Sequence, residues 1–213
     1  MNSVLIIASG GLDSTTLIHL YKSLKYDVHL MYFNYGQKNL VEERGCLVKT
    51  MKSLGIPKEN LVTVDISIPW NTSNITTDGN SESEEQYVEM RNLIFASYAI
   101  SYCEAMKIEK VAMGFTGGCV EYPDTSDSFQ NDLYNLAIRA NGVQMEFPLA
   151  NMKKVEVANL GLNLGMEIKN TFSCNVPVDG KRCGKCPDCL DIKSIIKELK
   201  VVDSDNPFLQ SPL

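Results

Sequence analysis

Ser9-Gly10-Gly11-Leu12-Asp13-Ser14 follows the apolar run Val4-Leu5-Ile6-Ile7-Ala8 and leads into a helix-like segment over residues 15–25. The order strand, glycine turn, helix start has a direct physical meaning. Adjacent glycines let the backbone turn sharply and approach a ligand with no Cβ in the way. The unpaired N–H groups of the helix start then face outward with partial positive charge. Such a turn accepts an anion, most commonly a phosphate. Gly-Gly alone is an ordinary β–α turn. The six-residue string is more particular, and it is neither a Walker A loop, since no Gly-Lys-Ser/Thr follows, nor a dinucleotide fingerprint, since the third glycine is missing.

The rest of the chain reads as an α/β protein built outward from that turn. Residues 28–33 and 61–66 read as strands, as do 110–114 and 144–147. Residues 39–54, 91–106, 127–140 and 153–164 carry apolar side chains at helical spacing. Strands alternating with helices predict a parallel, Rossmann-like sheet covered on both faces. Ligands in such sheets sit at the carboxyl ends of the strands. Three turns are placed there: the Ser9 turn, Tyr35-Gly36-Gln37, and the residues after Gly114. The polar stretch 67–86 reads as a surface loop and a candidate lid. Residues 1–170 are expected to form the α/β domain, and 171–213 a small C-terminal helical, metal-binding extension.

With 44% hydrophobic and 22% charged residues, the 213-residue chain can bury a proper core. Its net charge of −6 and the lack of a basic run argue against a grip on long RNA or DNA. No stretch is long and apolar enough to span a bilayer. The N-terminus lacks a basic region, so it reads as a strand, not a signal peptide. A cytoplasmic protein with small-molecule partners is the expectation, and seven cysteines there suggest metal or free thiols before disulfides.

Four of those cysteines cluster. Cys183-Gly184-Lys185-Cys186-Pro187-Asp188-Cys189 places three thiols at two-residue gaps, with Cys174 nine residues upstream. Gly184 and Pro187 suit tight turns around one ion. The set reads as a closed structural zinc site, with an iron–sulfur cluster as the competing metal reading. Cys46 and Cys103 fall in helical patterns and read as core fillers. Cys119 lies in an expected active-site loop, yet no histidine stands near it to activate a thiolate. His19 and His29 belong to no acid–base constellation. The expected chemistry is therefore positioning and charge neutralisation, without a nucleophile–base pair.

The Ser-Gly-Gly-x-Asp-Ser string resembles the pyrophosphate loop of the ATP pyrophosphatase (PP-loop) superfamily. Further pieces resemble one branch of it, the 7-cyano-7-deazaguanine synthase family of queuosine biosynthesis. They are Tyr35-Gly36-Gln37, Tyr87-Val88 with Arg91-Asn92, Tyr122-Pro123-Asp124 with Phe129, Pro148 with Lys153, Thr171-x-Ser173-Cys174, and the cysteine knot. The resemblance implies an adenine nucleotide α-hydrolase-like fold and a carbon–nitrogen ligase. Such an enzyme uses ATP with Mg²⁺ and ammonia to turn 7-carboxy-7-deazaguanine into the nitrile. It implies that ATP is bound by Ala8, Ser9, Gly10, Gly11, Leu12, Asp13, Ser14, Thr15 and Thr16. It implies that Asp13, ordering the loop or a magnesium ion, acts with Arg91 and Lys153 on the phosphates. Substrate contacts fall to Tyr35, Gln37, Arg91, Asn92, Tyr122 and Asp124, zinc to Cys174, Cys183, Cys186 and Cys189, and the assembly to a homodimer. The chain departs from the family's usual residues at Lys38-Asn39, Glu89-Met90, Thr125-Ser126 and Asn175. Three alternatives stay open: a ligase that stops at the amide, a tRNA-thiolating relative, and a nucleotide-binding protein without turnover.

Overall fold

A computed structural model describes residues 2–77, 86–117 and 122–209. Five strands form one sheet: β1 (Ser3–Ile7), β2 (Asp27–Asn34), β3 (Leu61–Asp65), β4 (Lys110–Ala112) and β5 (Gln144–Glu146). Their order is β3-β2-β1-β4-β5, with every pairing parallel. The helices are α1 (Leu12–Ser23), α2 (Leu40–Ser53), α3 (Arg91–Met106), α4 (Asp127–Asn141), α5 (Lys154–Asn163) and α6 (Pro187–Glu198).

The two-residue period of the strands sorts their side chains onto two cores. Val4 and Ile6 of β1, with Leu30 and Tyr32 of β2, face α1, α2 and α5 and pack on Leu17, Leu47 and Val157. Leu5, Met31 and Phe33 face the other way, against Phe95 and Ala99 of α3 and Leu133 of α4. Phe33 stacks on Phe95 with centroids 4.0 Å apart. Strands covered on both faces read as continuous apolar runs, as 4–8 does.

β1 lies at the centre, with β2 on one side and β4 on the other. The chain winds outward from β1 through β2 to β3, then returns to β4 and continues to β5. The direction therefore reverses at β1 and β4, and the crevice beyond their carboxyl ends is where an open sheet of this kind holds its ligand.

The C-terminal segment closes over this frame. Ile192 and Ile195 of α6 pack with Leu12 of α1 and Ala158 of α5. Leu12, expected in the turn, is 2% exposed and already belongs to α1, which starts three residues earlier than its apolar pattern suggested. Burying Leu12 under α6 favours the earlier start. Among the described residues no helix is long and apolar enough to cross a membrane.

Candidate active site

The Ser9 turn lies at the switch point, and two glycines let it do so. Gly10 has φ +79°, and a Cβ there would stand 2.2 Å from the Glu43 carbonyl oxygen of α2. At the end of β4, a Cβ on Gly114 would stand 3.3 Å from Cβ of Asp13, so the glycine lets β4 end against the start of α1. Within the turn, Gly11 N donates to Ser9 Oγ at 3.2 Å, Ser9 N donates to Ser14 Oγ at 3.2 Å, and the two hydroxyls lie 3.2 Å apart. Gly11, the N-cap of α1, offers no side-chain cap, so the positive end of a twelve-residue helix opens toward the crevice.

The crevice has a volume of about 430 Å³, a size suited to a small-molecule ligand. Ala8, Ser9, Gly11, Leu12, Asp13 and Ser14 line it. Gly10, Thr15 and Thr16 do not. Gly10 is turned against α2, and the fully buried Thr16 donates to Val157 O of α5 at 3.4 Å. Thr15 is buried, its hydroxyl oxygen without a partner among the described residues. The cradle is thus the six residues 8–9 and 11–14.

Two cations face it. Arg91, the first residue of α3, donates from Nη1 to Tyr35 Oη at 2.8 Å, and its guanidinium carbon lies 5.1 Å from the Tyr35 ring centroid. Its Nε is buried with no partner among the described residues. Burial pushes the Tyr35 phenol up, against the pull of Arg91. The second cation is Lys154, whose Nζ lies 2.5 Å from Asp13 Oδ2. Lys153, expected in this role, lies outside the crevice. It is the exposed N-cap of α5, and its N–H donates to Glu156 Oε2 at 2.7 Å. Lys153 has the extended backbone of an N-cap while Lys154 is the first helical residue, so the two side chains leave the chain in different directions. The adjacent Lys-Lys in the sequence carried no signal to choose between them.

The expected substrate residues divide. Asp124 is 1% exposed; its Oδ2 accepts from Asn92 N at 2.9 Å, while Oδ1 is buried without a partner among the described residues. Tyr122 lines the crevice and stacks on Tyr87, centroids 5.0 Å apart. Gln37 also lines it but spends its amide on the protein. Its Nε2 donates to Phe33 O at 2.9 Å and to Tyr32 Oη at 3.0 Å, and its Oε1 accepts from Tyr35 N at 2.9 Å. Gln37 thus shapes its own turn. Beside it sits Glu43, which sequence reasoning missed: a buried acid facing the crevice, 3.3 Å from Gln37 Nε2 and Tyr32 Oη and 3.1 Å from Asn39 Nδ2. Burial pushes its carboxyl up to about 8. A glutamate in a helical pattern looks like solvated surface, so nothing local announced it.

The departures from the family's usual residues have mostly local work. Lys38 Nζ donates to Asn74 O at 2.5 Å, Ser126 caps α4 by accepting from Phe129 N at 3.2 Å, and Met90 precedes α3 in the left-handed conformation, φ 50°. Asn175 lines the crevice and bridges Gln86 Oε1 and Asp188 Oδ2. Cys119 and residues 78–85 of the candidate lid lie outside the described residues.

The four clustered cysteines converge, every Sγ lying within 4.8 Å of the others. Backbone N–H groups of Cys183 and Cys186 point at the sulfurs of Cys174 and Cys183, at 3.2 and 3.3 Å, as they do around thiolates. The donor set can hold a metal ion.

The family described as Queuosine biosynthesis protein QueC matches residues 3–199. The chain belongs to the QueC family. Among curated relatives, the 7-cyano-7-deazaguanine synthase of Rickettsia bellii is 31% identical, covering 98% of this chain and all of that one. The synthase of Coxiella burnetii is 31% identical over 95% of this chain and 96% of its own. Membership makes this chain part of an enzyme family of queuosine biosynthesis. Solved structures share the QueC chain's fold at lower identity. The U34-tRNA thiolase NcsA of Methanococcus maripaludis, with its [4Fe-4S] cluster, has TM-score 0.58 and 15% identity over 98% of this chain and 71% of that one. NMN synthetase from Francisella tularensis has TM-score 0.54 and 16% identity over 93% and 77%.

Proposed function

We propose that this QueC-family enzyme is a carbon–nitrogen ligase that uses ATP and ammonia to convert 7-carboxy-7-deazaguanine into 7-cyano-7-deazaguanine, releasing AMP and pyrophosphate. The observation that carries the reading is the open Ser9–Ser14 turn, faced in one crevice by Lys154 and Arg91 and by the unpartnered carboxylate oxygen of Asp124.

A carboxylate does not yield to ammonia, because it is anionic and its oxygen leaves badly. Its oxygen attacks the α-phosphorus of ATP, the bond to pyrophosphate breaks, and an acyl-adenylate forms. The N–H groups of the turn and the Lys154 ammonium stabilise the charge that grows on the outgoing diphosphate. Ammonia adds to the acyl carbon, AMP leaves with the bonding pair, and a proton is lost, giving the amide. The amide oxygen then attacks a second ATP in the same way. Loss of AMP and the remaining N–H protons leaves the carbon–nitrogen triple bond. Asp124 Oδ1, an acceptor without a donor among the described residues, suits the donor edge of a deazaguanine. Arg91, its Nε unpaired, suits the carboxylate or a phosphate.

Four sulfurs within 4.8 Å suit a single tetrahedral ion, whose thiolates at about 2.3 Å would stand close to 4 Å apart. A cubane cluster spreads its cysteines farther. Zinc is therefore the proposed occupant, supplying structure to 171–213, with 1–170 as the catalytic unit and Mg²⁺ entering with ATP. Incubating the protein with ATP, ammonium and the carboxy-deazapurine tests the whole reading. AMP and a nitrile of the correct mass are expected. An amide as the end product would replace the nitrile reading, and no AMP would end it.

A further inference from the structure

Thr171-x-Ser173-Cys174 leads into the cysteine knot, and the proposed reaction assigns it nothing. We propose that Ser173 is a phosphate-binding residue of the nucleotide site, delivered to the Ser9 turn by the knot. This rests on the reading of that turn as the ATP site.

Ser173 Oγ accepts from Leu12 N, the first N–H of α1, at 3.4 Å. It thus sits on the positive helix end where the outgoing diphosphate is placed, and it lines the crevice. Gly11 lies between two hydroxyls: a Cβ there would be 3.2 Å from Ser9 Oγ and 3.5 Å from Ser173 Oγ. Ser9, Ser14 and Ser173 therefore present three hydroxyls around one glycine. A hydroxyl that accepts from a backbone N–H still has its own proton to give, and among the described residues the Ser173 proton has no acceptor. A phosphate oxygen in the cradle would supply one.

The segment is pinned on both sides of Ser173. Phe172 N donates to Gly10 O at 2.8 Å, tying it to the glycine turn itself. Asn39 Nδ2 donates to Cys174 O at 3.0 Å, and Cys183 N donates to Cys174 Sγ at 3.2 Å. The half-buried Arg182 guanidinium donates to Thr171 O and lies 4.7 Å from the Phe172 ring centroid. A side chain held this way loses little freedom when it meets a ligand. The knot thus holds a hydroxyl at the phosphate loop, beyond stabilising its own segment.

The test is calorimetric binding of inorganic pyrophosphate, α,β-methylene ATP and AMP to wild type and Ser173→Ala, each with Mg²⁺. Loss of one hydrogen bond to a charged group should weaken pyrophosphate and the ATP analogue by about ten- to a hundredfold. AMP, which lacks the diphosphate, should bind both proteins alike. If Ser173→Ala binds pyrophosphate and the ATP analogue as wild type does, the assignment is overturned. If it loses AMP equally, Ser173 is structural and the assignment is also overturned. If wild type binds none of the three, the ATP reading of the turn fails first and takes this one with it. A second measurement covers a variant that folds poorly. Wild type stripped of knot metal, its fold checked by circular dichroism, should weaken for pyrophosphate but not AMP and recover with added zinc. Unchanged pyrophosphate affinity there would refute delivery by the knot.

Discussion

Glu43→Gln isolates the effect of one buried charge on stability. The Glu43 carboxyl is pushed from its usual 4.5 up to about 8, chiefly because it sits inside the protein, with Arg91 and three donors only partly offsetting the loss of water. A raised acid favours folding below the unfolded value and loses that support as pH climbs to the folded one. Between pH 4.5 and about 8 the unfolded chain has given up the proton while the folded chain keeps it, so Glu43 lowers stability by about 1.4 kcal/mol per pH unit, a few kcal/mol over the interval. Glutamine mimics the neutral acid. Its amide can donate toward Tyr32 Oη, which can pass its own proton to Leu40 O at 3.2 Å, but the amide nitrogen no longer accepts from Gln37 Nε2, a cost that does not vary with pH. Urea unfolding followed from pH 5 to 9 should therefore show the variant gaining on wild type as pH rises, with the gain levelling above pH 8. Parallel curves, or a variant that loses ground as pH rises, would refute the buried-acid account.

Lys154→Ala should lower kcat/KM for ATP by on the order of a hundredfold, because a cation beside the leaving diphosphate is lost. Lys153→Ala should leave turnover unchanged and shift stability by no more than about 0.5 kcal/mol; steady-state kinetics on the pair tell whether the right lysine has been chosen. Met90→Gly should raise stability by about 1 kcal/mol, read as a higher Tm, since φ 50° strains any side chain ahead of α3. Purified protein should be colourless and carry one zinc per chain by elemental analysis; a brown preparation would point to iron and sulfide instead.

What could be read from the residues alone, and what could not, follows from the range of the interactions. The turn at Ser9, the strand–helix alternation and the cysteine knot are local patterns, written in neighbours along the chain. Their placement together at one switch point follows from general rules of parallel sheets. Glu43, Lys154 and Ser173 were hidden because their surroundings come from distant segments. Glu43 is buried against Tyr32, Gln37 and Asn39, and Asn39 also holds the carbonyl of Cys174, 135 residues on. Lys154 opens α5 while Lys153 stands just before it with extended backbone. Ser173 gains meaning from an N–H 161 positions away. Gln37 shows the converse. Its motif pointed to a ligand contact, yet its amide is consumed in holding Tyr35, which in turn holds Arg91.

That last chain of contacts explains why the crevice can exist before ligand arrives. An arginine left alone in a half-buried site would fold back onto water or the nearest acid. Here the guanidinium rests on the Tyr35 and Phe95 rings and gives one N–H to the phenol oxygen, so its position is set by aromatic surface and not by a carboxylate that would cancel its charge. Lys154 is the opposite case, paired with Asp13 at 2.5 Å. On the proposed function, an incoming phosphate would share that lysine with the aspartate, or a magnesium ion would take the aspartate over. Arg91 would then be the cation ready for an anion at once, and Lys154 the one released as the nucleotide and its metal settle. On that ordering, binding of the deazapurine acid at the Arg91 end should depend less on magnesium than binding of pyrophosphate at the loop.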